Sequence, residues 1–162
     1  MKVSATELMK RLKAIREEIN YVHANDREKS YVQIEKDANG HLVPAYEATY
    51  EFANNRARIK ELQEEERRIK KVLAEFNLKT KVDKDGLTVA EALVIIGQMH
   101  EEIRILQELS RKGKWNTDYR NTISKALYDQ EELRETLKEM QSRYSKLQVA
   151  VDKTNLNSEI EF

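Results

Sequence analysis

Ser4-Ala5-Thr6-Glu7-Leu8-Met9-Lys10-Arg11-Leu12-Lys13-Ala14-Ile15 decides the fold class. A Ser followed three residues later by Glu forms a capping box, in which each side chain satisfies an otherwise orphan backbone N–H of the first helical turn. Apolar residues then fall at Leu8, Leu12, Ile15, Ile19 and Val22, the alternating 4 and 3 spacing of one seam on a long helix. The pattern fades at Ala24-Asn25-Asp26, so this helix is predicted over about residues 5–24.

Working outward, the period changes between Ser30 and Val43. Val32 and Ile34 alternate with polar residues ahead of Asp37-Ala38-Asn39-Gly40, and Leu42-Val43 follow. Asn-Gly supplies the positive φ of a tight turn, which predicts a small β-hairpin over 31–43, with Val32 and Ile34 covering helix surface. Pro44 suits the first position of a helix, where its missing N–H costs nothing. A second helix is therefore expected over 44–78, with Phe52, Asn55, Ile59, Leu62, Glu66, Ile69, Leu73 and Phe76 on its seam.

Thr88-Val89-Ala90-Glu91 is a second capping box and opens a helix expected over 89–112. After a loop through Trp115, a fourth helix is expected over 118–154, with Leu133, Leu137, Met140, Tyr144, Leu147 and Val151 on its seam. An offset of 84 carries Ser4 onto Thr88 and Glu7 onto Glu91. An offset of 78 carries Ala48 onto Ala126, Tyr50 onto Tyr128 and Asn77-Leu78 onto Asn155-Leu156. The two halves, 1–86 and 87–162, thus read as an internal duplication of one helical hairpin. The expected fold is all-α: an antiparallel four-helix bundle of coiled-coil hairpins, with a small β-hairpin in the first connection.

The order of a capped helix, a polar loop and a long helix ending in Asn-Leu, followed by Gly86-Leu87-Thr88-Val89-Ala90-Glu91-Ala92-Leu93 and closed by Leu147 through Asn155, resembles a largely uncharacterised bacterial helical family. Some of its members carry the label "septicolysin". The resemblance spans nearly the whole chain and implies the helical fold; it brings no catalytic residues. The stretch Lys112 to Arg120 is shorter than the resemblance leads one to expect.

Composition narrows the function classes. Basic and acidic residues number 29 each and interleave, so no phosphate-neutralising excess exists and no nucleic-acid partner is expected. There is no cysteine for a disulfide or thiolate metal site. A charged N-terminus and short apolar runs lead to the expectation of a cytoplasmic protein with no membrane partner. The residues three before His23, His41 and His100 are Asn20, Ala38 and Gly97, so the Glu-x-x-His of a di-metal bundle is missing, and neither a metal nor any other cofactor is expected.

Three features are candidates for function. Asn55 and Glu66 are polar residues on an otherwise apolar seam, read either as a flared, wet bundle or as a device that fixes register. Lys112, Lys114, Trp115, Tyr119 and Arg120 mix basic and aromatic residues, read as a plug at the bundle end or as a base-stacking platform. Val94 and Ile95 lie beside Val89, Leu93 and Ile96, making the start of the third helix apolar nearly all round and marking these residues as the candidate self-association surface. The expected function is a non-catalytic, self-associating scaffold or protein-interaction module, with a homo-oligomer as the expected assembly and another protein as the second candidate partner. A holdase-like chaperone is the alternative, and a metal protein or enzyme is the third class.

Overall fold

A computed structural model of the chain describes residues 2–47, 49–82, 86–117 and 122–162. In order these form β1 (Lys2–Val3), α1 (Ala5–Lys29), β2 (Ile34–Lys36), β3 (Leu42–Pro44) and α2 (Phe52–Lys79). They continue with α3 (Val89–Lys112), β4 (Trp115–Thr117), β5 (Ile123–Lys125), α4 (Gln130–Leu156) and β6 (Ile160–Glu161). The protein is mostly helical, with short antiparallel strand pairs between and beyond the helices.

The chain divides into two compact units, one of Met1–Ala74 with Glu159–Phe162 and one of Glu75–Ser158. The expected division at 86/87 differs at both ends, for packing reasons. Phe76 and Val82 pack against the Val89, Ala92 and Val151 cluster, which draws the end of α2 into the second unit. The polar tail returns to the first, because β6 pairs with β1 through Lys2↔Glu161 and Val3↔Ile160, burying Ile160.

In the first unit the Ser4 capping box forms as the spacing requires. The Glu7 amide donates to Ser4 Oγ at 3.2 Å, and the Ser4 amide donates to Glu7 Oε2 at 2.7 Å. Ala5, Leu8, Ile15 and Val22 of α1 are buried, as are Ile59, Leu62 and Ile69 of α2. The flanks carry ion pairs that descend one helix while ascending the other, so α1 and α2 run antiparallel. Arg11 grips Glu65 with two bonds of 2.8 and 2.9 Å, and Arg58 Nε donates to Glu18 at 2.7 Å. Helix α1 outlasts its predicted end by a full turn. Asn25-Asp26 do not break it, and Arg27 and Lys29 place positive charge in the last turn, where the helix dipole favours it.

Pro44 closes β3 and does not begin α2, which starts eight residues later. In the β2–β3 ladder the Asp37 amide bonds to His41 O and the Ala45 amide to Gln33 O. Ladder bonds alternate, so Glu35↔Val43 is a hydrogen-bonded pair, whereas Ile34↔Pro44 and Lys36↔Leu42 turn their backbone groups outward. Proline is tolerated where its missing N–H would face outward, and Pro44 occupies such a place. The turn is wider than the Asn-Gly pair suggested: the Gly40 amide closes back on Asp37 O at 3.0 Å, with Gly40 at φ 85.

In the second unit the Thr88–Glu91 capping box repeats the first, and α3 spans the predicted residues. Helices α3 and α4 pack antiparallel. Val89 and Ala92 meet Val151 with Ile96 and Leu147 around them, the His100 and Tyr144 rings lie 6.3 Å apart, and Tyr128 Oη donates to Leu109 O at 3.0 Å. Helix α4 begins at Gln130, not 118. Asp129 caps it by accepting from the Glu131 and Glu132 amides at 2.7 and 3.0 Å. The segment before it forms a second hairpin, β4–β5, which the sequence pattern did not predict; Ala126, expected in the helix, donates its amide to Lys114 O at its base.

Candidate functional site

The two seam polar residues are tied into the first unit. Asp26, on the turn of α1 beyond the predicted end, gathers three partners. Tyr50 Oη donates to its Oδ1 at 2.6 Å, Asn55 Nδ2 donates to the same oxygen at 3.0 Å, and the Arg56 guanidinium pairs with Oδ2. Glu66 is half-buried and accepts from Lys70 at 2.6 Å, with Arg16 of α1 at 3.5 Å. The hydrogen bond from Lys70, and then Arg16, hold its carboxyl below the usual value. Asn55 and Glu66 therefore face polar partners on α1, not open water, and they belong to α1–α2 pairing.

The first turns of α3 are not covered all round. Val89 and Ala92 are buried and Ile95 is half-buried, but Leu93 and Val94 are 45% and 61% exposed. The apolar surface singled out at Val94 and Ile95 thus stands partly open.

The hairpins carry the larger apolar surface. In β2–β3, Ile34, Lys36, Leu42 and Pro44 share one face because directly opposed residues point the same way. In β4–β5 the corresponding face holds Trp115, Thr117, Ile123 and Lys125, with Lys125 Nζ 5.6 Å from the Trp115 ring centroid. Ile34 and Leu42 are 53% and 71% exposed, and Trp115 and Ile123 are 60% and 68% exposed. Ile34 was expected to cover a helix and does not. Trp115 does not plug a bundle end. Tyr119 and Arg120 of the basic-aromatic loop lie outside the described residues, as does Ala48 of the expected repeat.

An offset of 81 in sequence carries Ile34 onto Trp115, Lys36 onto Thr117, Leu42 onto Ile123 and Pro44 onto Lys125. That value lies midway between the helix offsets of 84 and 78. The first hairpin's turn is pinned by Asp37, whose Oδ1 accepts the Asn39 and His41 amides at 2.8 Å each. These bonds, led by that from His41, hold the Asp37 carboxyl below its ordinary value.

Among the described residues no three His, Asp or Glu side chains converge as metal ligands would, and no helix is long and apolar enough to cross a membrane. No family model matches the chain, and no curated protein matches it. Among solved structures the fold matches "a functionally unknown conserved protein from Corynebacterium diphtheriae" at 16% sequence identity. The match has a TM-score of 0.75 and covers 99% of this chain and 100% of that one; at this identity the likeness establishes the fold alone.

Proposed function

We propose that this chain is a non-catalytic, self-associating protein-interaction module. One observation carries the proposal: two equivalent hairpins each present a face of large apolar side chains to solvent. A lone two-stranded hairpin is marginal in water, and apolar patches on a free strand edge invite pairing. Fully covering an aliphatic or aromatic side chain contributes roughly 1.5–3 kcal/mol, so the exposed parts of Ile34, Leu42, Trp115 and Ile123 suffice for a modest interface. Leu93, Val94 and Ile95 on α3 supply a second apolar surface of the same kind.

Internal duplication of a helical hairpin belongs to the same proposal, supported by the paired capping boxes, by Tyr50 and Tyr128, whose hydroxyls each tie back to the preceding helix, and by the hairpins aligned at an offset of 81. So do the antiparallel bundle of coiled-coil hairpins, a cytoplasmic location and membership of the bacterial family labelled "septicolysin", without the cytolytic activity that label suggests. Light scattering at micromolar concentration tests the proposal. The wild type is expected as a dimer or larger, and Val94→Glu with Ile95→Lys is expected to lower the mass if α3 contributes. A monomeric wild type contradicts self-association. The same exposed hairpins also suit a holdase; suppression of a denatured client's aggregation by this protein would favour that reading.

A further inference from the structure

We infer that the first hairpin of one copy pairs edge to edge with the second hairpin of another copy, forming a four-stranded antiparallel sheet. The inference rests on the self-association proposed above and names the surfaces that meet. Among the described residues no strand pairs with the outer edge of β2: the backbone N–H and C=O of Ile34 and Lys36 point away from β3, following the alternation set by the Asp37–His41 and Gln33–Ala45 bonds. The β3 edge is blunted, because Pro44 sits at an outward position and has no N–H to offer. Only β2 can therefore accept a full strand from outside.

Charge selects the partner. Pairing β2 with its own copy in full register sets Glu35 against Glu35, and like charges directly opposed destabilise a sheet. The first hairpin, residues 33–45, carries Glu35 and Asp37 against Lys36. The matching described residues of the second hairpin, 114–117 and 122–126, carry Lys114 and Lys125 and no acidic residue. A hairpin with one net negative charge thus meets one with two positive charges. The outward backbone positions of β4 and β5 are Trp115, Thr117, Ile123 and Lys125, by the alternation that the Ala126–Lys114 bond sets, and none is proline. Antiparallel pairing lays the Ile34–Leu42 face beside the Trp115–Ile123 face, making one continuous apolar surface. Such a contact is heterologous, so an open chain of copies keeps one free edge of each kind at its ends until a ring closes.

Two variants test the pairing in the full chain. Ile34→Glu with Leu42→Glu disables the first hairpin, and Trp115→Glu with Ile123→Glu disables the second. All four side chains are exposed, so the helical circular dichroism should persist. Each variant alone is expected to be monomeric by light scattering, while an equimolar mixture forms a dimer of one copy of each, since one intact edge of each kind remains. Lys36→Pro, which removes an outward N–H alone, is expected to stop the first hairpin from pairing in the same mixture. If either double variant alone keeps the wild-type mass, association runs through another surface such as α3 and the pairing is wrong; a mixture that stays monomeric overturns the pairing as well. A monomeric wild type defeats both.

Discussion

Tyr50 Oη donates to Asp26 Oδ1 at 2.6 Å, fastening the segment that enters α2 to the last turns of α1. Asp26 also receives Asn55 and Arg56, so one carboxylate serves three donors. Replacing Asp26 with Ala leaves these donors without their acceptor. Hydrogen bonds to charged groups contribute about 1.5–3 kcal/mol, and a loss of that size is expected in urea unfolding. Asp26→Asn keeps an acceptor and should cost less. Equal stability of Asp26→Ala and wild type would show that the cluster does not hold the helices together.

The two capping boxes make stability depend on acid. The backbone N–H of Ser4 lowers the Glu7 carboxyl, and that of Thr88 lowers Glu91, each from an ordinary 4.5. A carboxyl depressed in the folded state stabilises fully above its unfolded value, and the contribution is lost as pH falls through the depressed value. Stability is therefore expected to fall on acidification below the ordinary carboxylate range. Glu7→Gln with Glu91→Gln should flatten that fall, measured as urea midpoints at neutral and acid pH. An unchanged slope contradicts the assignment. Ser4→Ala or Thr88→Ala should each cost about 1 kcal/mol at neutral pH.

Gly40 tests the first hairpin. Its φ of 85 suits glycine, and a Cβ there meets nothing within 4 Å, so the penalty for a side chain is conformational, not steric crowding. Gly40→Val is expected to loosen the hairpin, because a β-branched residue resists positive φ. The readout is amide exchange at Glu35 and Val43, the pair bonded across the ladder, which should quicken. Exchange unchanged by the substitution would mean the turn does not control the strands.

The sequence was most legible where structure is set by near neighbours. Both capping boxes and the span of α3 follow from side chains three residues from their targets. Asp129-Gln130-Glu131-Glu132 held the same kind of signal for the true start of α4, and the apolar periodicity running past it obscured it. Pro44 misled because a strand edge and a helix start both forgive a missing N–H. The second hairpin has no Asn-Gly to announce it, and the β1–β6 pair joins the two ends of the chain, beyond any local pattern. Asp26, the partner of Asn55, lies where the apolar periodicity of α1 has already faded, so no local pattern joins the two. The apolar hairpin faces needed strand register, which decides that Ile34 sits with Leu42 and Trp115 with Ile123.

Trp115 is the one tryptophan in the chain and lies on the face that assembly is proposed to cover, so its fluorescence reports directly on the central claim. On dilution from high micromolar to nanomolar concentration, its emission is expected to move to longer wavelength as water reaches the ring. The midpoint of that shift should coincide with the fall in mass by light scattering. Emission that stays at the long-wavelength position of an exposed indole across the whole range, with mass constant or changing, would contradict a hairpin-mediated assembly.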